Sequence, residues 1–229
     1  MKVSHRLRLA TAAALVISPA LALAQNPAGS VVVTPYVGVY SPSTDVMKEG
    51  VSAAGQSVTA NGKHQASAAY GMNASYWITD RLGIELGGAY SSSQLKGTIT
   101  QTGITPVTIT DHAHIWLGSA KLMIQLLPPS TGANLRLGIG PAFVTRGGTA
   151  YSGDNTGSVT GLTDFGGAVS LCSKIPVTRN FGIRVRAEDY MYQAKLGWNA
   201  VNANNSYTFN SRMQHDFVFS AGLQFMLNP

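Results

Sequence analysis

The hydrophobic pattern of the chain has a period of two. It is clearest at the end, in Gln214 to Leu227, which reads QHDFVFSAGLQFML. Phe217, Phe219, Ala221, Leu223, Phe225 and Leu227 share one phase; Asp216, Val218, Ser220, Gly222, Gln224 and Met226 share the other. An extended strand puts these sets on opposite faces, whereas a helix would mix them. The stretch is also about as long as a tilted strand must be to cross a bilayer.

Comparable alternation recurs, predicting eight strands near 30–40, 66–78, 82–91, 113–127, 134–144, 163–175, 181–192 and 214–227. Connections after the second, fourth and sixth are short: Thr79-Asp80-Arg81, Pro128 to Gly132, and Thr178-Arg179-Asn180. The other four are long: Ser41–Gln65, Ser92–His112, Thr145–Leu162 and Gln193–Met213. Leu82-Gly83-Ile84, Leu137-Gly138-Ile139 and Phe181-Gly182-Ile183 recur, each after a short turn. Four hairpins in a row suggest an up-and-down meander, and closure removes the two open edges an eight-stranded sheet would expose. The expected fold is all-β: a closed, eight-stranded, antiparallel up-and-down barrel, with an interior just wide enough for side chains to fill.

The faces decide what lies outside. One phase holds Tyr70, Met72, Tyr76, Ile84, Leu86, Trp116, Leu122, Ile139, Phe165, Leu171, Ile183 and Val185. The opposite phase holds Asn73, Glu85, Lys121, Gln125, Arg136, Ser170, Arg184, Arg186, Glu188 and Gln224, with many glycines that leave room for them. Aromatics on the apolar phase fall where strands meet connections. Tyr90, Trp116, Phe143, Phe165 and Phe217 lie by the long loops; Tyr76, Phe181 and Phe225 lie by the short turns. Two aromatic girdles, with long loops on one side and short turns on the other, are what a membrane barrel requires. A soluble lipocalin-type barrel would reverse the faces, and the first strand has no Gly-x-Trp.

Composition narrows the compartment. Met1 to Ala24 reads as a secretory signal peptide: Lys2, Arg6 and Arg8, an apolar core from Leu9 to Ile17, then Ala22-Leu23-Ala24. The expected domains are therefore a leader over 1–24 and a barrel over 25–229. The formal charge of +6 falls to +3 without the leader's Lys2, Arg6 and Arg8. With no basic run, nothing argues for nucleic acid. Cys172 is alone, so neither a disulfide framework nor a cysteine zinc cluster is expected.

The chain resembles the small eight-stranded outer-membrane barrels of Gram-negative bacteria, the OmpA/OmpX/OmpW type. The carriers are Pro35-Tyr36-Val37-Gly38-Val39, the Thr-Asp-Arg-Leu-Gly-Ile turn at 79–84, and Leu137-Gly138-Ile139-Gly140-Pro141. Ser220, Gly222, Phe225 and Leu227 are similar to the signal read by the barrel-assembly machinery, although Asn228 and Pro229 follow where the family often ends on an aromatic. The resemblance implies export through the periplasm to the outer membrane, with lipid and lipopolysaccharide as surroundings. The second, peptidoglycan-binding domain of OmpA proper has no counterpart after the eighth strand.

The chemical candidates are few. Glu85, Lys121, Arg136, Arg184, Arg186 and Glu188 are expected to meet in the lumen, as a salt-bridge plug or as an ion path. His64, His112, His114 and His215 are expected at strand ends near the rim. His112 and His114 share a face at a spacing that can chelate a metal, but solvated rim histidines are the plainer reading. No His-x-Ser or Asp-Ser pair accompanies Ser91-Ser92-Ser93, so no enzyme and no cofactor are expected. Thr98-Ile99-Thr100 and Val107 to Thr110 alternate, so the second hairpin should continue as sheet beyond the membrane. Asn199, Asn202, Asn204 and Asn205 suggest a flexible fourth loop. Such polar loops suit contact with lipopolysaccharide, host surfaces or phage. Pro35 and Pro141 should each interrupt a ladder, and Asp189 falls on the lipid phase unless a bulge turns it. Two roles follow: a plugged barrel with a structural or surface-interaction task, or an OmpW-like passive conduit for small hydrophobic molecules that leaves laterally near Pro141.

Overall fold

In the computed structural model, the described residues are 27–53, 56–127, 134–152, 157–200 and 206–227. The expected leader, the turn expected after the fourth strand and the Asn202, Asn204 and Asn205 run lie outside them. Thirteen strands follow in order: β1 (Val31–Pro42), β2 (Met47–Ala53), β3 (Gln56–His64), β4 (Ser67–Trp77), β5 (Leu82–Gln101), β6 (Ile104–Gln125) and β7 (Leu135–Gly147). A 3-10 turn, Thr149–Tyr151, precedes β8 (Gly157–Thr160), β9 (Thr163–Pro176), β10 (Phe181–Ala194), β11 (Gly197–Ala200), β12 (Ser206–Thr208) and β13 (Arg212–Met226).

Eight of these close a ring, β1-β4-β5-β6-β7-β9-β10-β13, every neighbour antiparallel. The β1–β13 pairing is the closing seam. They are the eight strands that the period-two pattern predicts. Alternation decides their faces: along β10 every second residue from Gly182 to Ala194 is buried. Phe219 is 52% exposed and Phe165 79%, together with Val37, Met72, Leu86, Trp116, Ile139 and Leu223. Charged groups inside and an apolar exterior are the arrangement of a barrel solvated by lipid.

The long connections carry more sheet than alternation forecast. β5 and β6 run on as a hairpin, as expected, turning at Thr102-Gly103 with Gly103 at φ 79°. The first connection is a hairpin too, β2–β3, and β3 docks on the upper half of β5. This was not legible, because Met47 to His64 lacks a clear apolar phase and pairs on an edge created elsewhere in the chain. The third and fourth connections share a small sheet, β8-β11-β12. Asn199, expected in a flexible loop, lies in β11 and pairs with Ser158 and Ser206.

Both prolines interrupt ladders. The β1–β13 register skips from Val33↔Phe225 to Tyr36↔Gly222, at Pro35. The β6–β7 register skips from Ser119↔Ala142 to Leu122↔Ile139, at Pro141. Proline lacks the N–H a ladder needs. Asp189, by contrast, sits in unbroken register between Phe217 and Val169, so there is no bulge and it faces outward.

Candidate functional site

The lumen is layered, because inward positions at one height come from several strands. The middle layer holds most of the charge. Arg184 Nη1 donates to Glu85 Oε2 at 2.6 Å, and Ser75 Oγ donates to the same oxygen at 2.9 Å. Arg186 bonds Glu85 through its other guanidinium nitrogen and Glu188 at 3.2 Å. Lys121 bonds Glu188 and lies 3.5 Å from Glu85. Arg186 also donates to Asn73 Oδ1 at 2.8 Å. All these side chains are buried. β4, β5, β6 and β10 contribute them, so the network crosses the interior rather than lining one wall. Removing a charge from water this fully is tolerable only with such pairing. Glycine makes the space: a Cβ on Gly138 would stand 3.5 Å from Lys121 Cδ and 2.5 Å from Ser170 Oγ.

Arg136 does not join this layer. Its Nε donates to Gln125 Oε1 at 3.0 Å, and its guanidinium lies 4.7 Å from the centre of the Trp77 ring. It belongs to a lower layer with Val32, Met123, Cys172, Met226, Lys174 and Gln224, near the short turns. Period two places Arg136 on the right face, but height along the barrel depends on strand tilt, which alternation does not contain. Arg184 spans the two layers and also donates to Cys172 Sγ at 2.9 Å.

The upper layer is largely apolar: Tyr36, Tyr40, Ala69, Ala89, Ile115, Leu117, Ala142, Val144, Ala168, Tyr190, Tyr192 and Val218 face in and are buried. Above them Tyr151 and Leu196 are buried, with Val159, Leu162 and Phe209 packed against the cluster, so the outer connections cover the mouth. Sequence reasoning missed a second polar set here. Arg146 Nη1 donates to Asp164 Oδ2 at 2.7 Å and its guanidinium lies 5.0 Å from the centre of the Tyr192 ring. The Tyr192 hydroxyl donates to Asp216 Oδ2 at 2.6 Å. The signal was present: Arg146 continues the phase of Arg136 two residues past the predicted end of its strand.

The histidines separate. His64 is not a solvated rim residue: it is buried, with Nε2 2.6 Å from the Tyr151 hydroxyl. Burial, aided by the nearby Arg146 charge, pushes its imidazole down to about 3. His112 and His114 stand outside, their rings tilted against one another, and His114 lies beside Tyr90, which contacts Trp116. His215 Nδ1 lies 2.9 Å from Asp189 Oδ2, which gives the outward-facing carboxylate a partner. Among the described residues, no group of three metal-ligating side chains converges.

Of the terminal set, Phe225 and Leu227 face outward, Ser220 is half-buried, and Gly222 is buried. A Cβ on Gly222 would come within 2.8 Å of Tyr36 Cβ. The Tyr36 ring reaches across Gly71 and its hydroxyl donates to the Gly88 carbonyl at 3.1 Å.

On the lipid face, a groove of about 510 Å³ lies at the Pro141 interruption, lined by Leu86, Trp116, Leu117, Pro141, Phe143 and Phe165 among others. Gly140 is needed there, since a Cβ would strike the Ala120 backbone.

No family model matches the chain, and no curated protein does. Among solved structures it is similar to the outer membrane protein OprG from Pseudomonas aeruginosa. The TM-score is 0.65 at 12% identity, covering 89% of this chain and 98% of that one. It is also similar to the outer membrane protein AlkL in lipid bilayers, with TM-score 0.60 at 8% identity, covering 89% and 92%. At such identities the likeness speaks for the fold. With the closed ring, the apolar outer band and the charged layer inside, it gives the chain the fold of the small eight-stranded outer-membrane β-barrels.

Proposed function

We propose that the barrel does not conduct ions and serves a structural or surface-interaction role, anchoring the β2–β3 and β5–β6 sheet and the β8-β11-β12 sheet outside the membrane. One observation carries this reading: Glu85, Glu188, Lys121, Arg184 and Arg186 bond one another across the lumen and are buried. An ion path needs charged groups that face water. Here they face each other, and an eight-stranded ring leaves little space beside them. Insertion through the barrel-assembly machinery, guided by Ser220, Gly222, Phe225 and Leu227, and contact of the outer rim with lipopolysaccharide belong to the same reading. The test is planar-bilayer conductance of the purified protein. No steady channel is expected. Stable single-channel steps that vanish when Arg184 and Arg186 are neutralised would overturn it.

A second reading, a passive conduit for small hydrophobic molecules, draws on a different observation. The upper lumen is apolar, and the β6–β7 ladder is broken at Pro141 beside a groove on the lipid face. Such a molecule would enter from outside, meet the charged layer below, and leave sideways into the bilayer. Deletion that slows uptake of a small hydrophobic solute, with restoration by the wild type but not by Pro141→Ala, would favour the conduit. Unchanged uptake favours the plugged barrel.

A further inference from the structure

Strand β6 begins far above its β7 partner. Pairing with β7 starts at His114↔Gly147, and Thr149 Oγ1 donates to Asp111 Oδ1 and to the His112 carbonyl, so among the described residues the segment from Ile104 to Thr110 is bonded to β5 alone. Among the described residues its other side is an open sheet edge. Between Trp116, in the outer girdle, and Ile104 lie roughly 40 Å of strand, so this edge stands clear of the hydrocarbon.

Open edges are normally blunted by charge or covered. The opposite edge of the same upper sheet, β2, follows that rule: it carries Lys48 and Glu49, and Asn210 binds Glu49 through its backbone N–H at 2.6 Å and its side-chain amide at 2.9 Å. The β6 edge is less protected. No charged side chain occurs from 97 to 110, and Pro106 is the one blunting residue between Ile104 and Thr110. Its faces differ. Ile99, Val107, Ile109 and Val58 lie on one face, each at least 39% exposed; Thr98, Thr100, Thr108 and Thr110 lie on the other.

We infer that this edge pairs, antiparallel, with the same edge of a second copy of the chain held in a facing membrane. The geometry selects both the occupant and its orientation. A two-fold axis perpendicular to the sheet keeps apolar face with apolar face. In the register that sets Thr108 opposite Thr108, it places Val107 beside Ile109 of the partner strand twice. Such β-branched cross-strand pairs are favourable, and no like charges meet. That axis reverses strand direction, so the partner's barrel lies on the far side of the contact, in another membrane. Two barrels in one membrane would need a two-fold along the strands. That operation turns one sheet over, setting valine and isoleucine beside threonines, and it makes the weaker parallel ladder. The pairing would join two upper sheets into one of eight strands. It rests on the surface-interaction reading given above.

The test uses full-length protein in phosphatidylethanolamine–phosphatidylglycerol liposomes, with barrel folding checked by the boiled-against-unboiled gel shift. Wild-type proteoliposomes should cluster by light scattering. Val107→Lys and Thr108→Pro should reduce scattering to that of protein-free liposomes, whereas Lys48→Ala on the covered edge should not. In a Cys172→Ser background with an added thiol oxidant (copper–phenanthroline and air), Thr108→Cys should form a disulfide between two differently dyed liposome populations. Absence of wild-type clustering, clustering that survives Val107→Lys, or a disulfide confined to one population would each overturn the pairing. If conductance is nil in the same preparations, the non-conducting barrel stands without it.

Discussion

At the residue scale, the two kinds of face have opposite tolerances. Glu85 accepts from Arg184, Arg186 and Ser75 in the middle of the lumen. Glu85→Gln leaves two guanidinium groups and Lys121 facing a single remaining carboxylate, and should cost about 3–5 kcal/mol, the range for breaking a buried pair. Phe219 faces lipid, and Phe219→Arg should cost about 2–4 kcal/mol near mid-bilayer. Urea unfolding in vesicles, followed by the gel shift, measures both; a Glu85→Gln variant as stable as wild type would remove the pairing from the stability of the fold. His64 supplies a pH dependence. Its imidazole titrates near 6.5 when unfolded and near 3 when folded. Between those values the unfolded chain binds a proton that the folded chain refuses, so stability is lost as pH falls below about 6.5, by at most about 1.4 kcal/mol per pH unit. Replacing His64 with Gln should flatten that part of the stability–pH curve without altering the carboxylate transition below it.

At the scale of elements, prolines and glycines set where the wall is weakest. Pro35 interrupts the closing seam and Pro141 interrupts β6–β7. The seam is bridged by Tyr36, packed over Gly222 and Gly71 and bonded to the Gly88 carbonyl. The β6–β7 gap has a groove beside it on the lipid face, and a second groove of about 550 Å³ runs along the seam at Val37, Gly38, Phe219 and Ser220. Pro141→Ala restores an N–H to the ladder and should slow amide exchange around Ala120 and Lys121. The change should be confined to that interruption, since the flanking register is regular from Leu122↔Ile139 to Gln125↔Arg136. Faster exchange there would mean that the ring closure of proline, rather than its missing donor, organises the gap.

For the whole molecule, closure is the decisive property. Ring pairing gives each barrel strand two neighbours over its membrane-spanning part, so no backbone edge meets lipid there. A barrel of this kind should migrate differently on a denaturing gel before and after boiling, and its circular dichroism in detergent should be that of a β protein. Identical migration with helical dichroism would contradict the fold. Spin labels give an independent check on its polarity: one at 219 should report lipid and one at 186 should not. The reverse pattern would place the charged layer outside.

Alternation alone determined the number of barrel strands, their faces and the side that carries the long connections, because a strand's side chains repeat every two residues whatever it pairs with. It placed Glu85, Lys121, Arg136, Arg184, Arg186 and Glu188 together on one face. Only the folded barrel decided that Arg136 sits a layer away on Trp77, that Arg146, Asp164, Tyr192 and Asp216 form a second polar set, and that His64 is buried under Tyr151. Those contacts depend on strand tilt and stagger, which fix the height at which inward residues of different strands meet, and a one-dimensional period carries no information about height. The β2–β3 hairpin was hidden for a related reason: it forms against an edge of β5 that exists only once β5 has outrun β4.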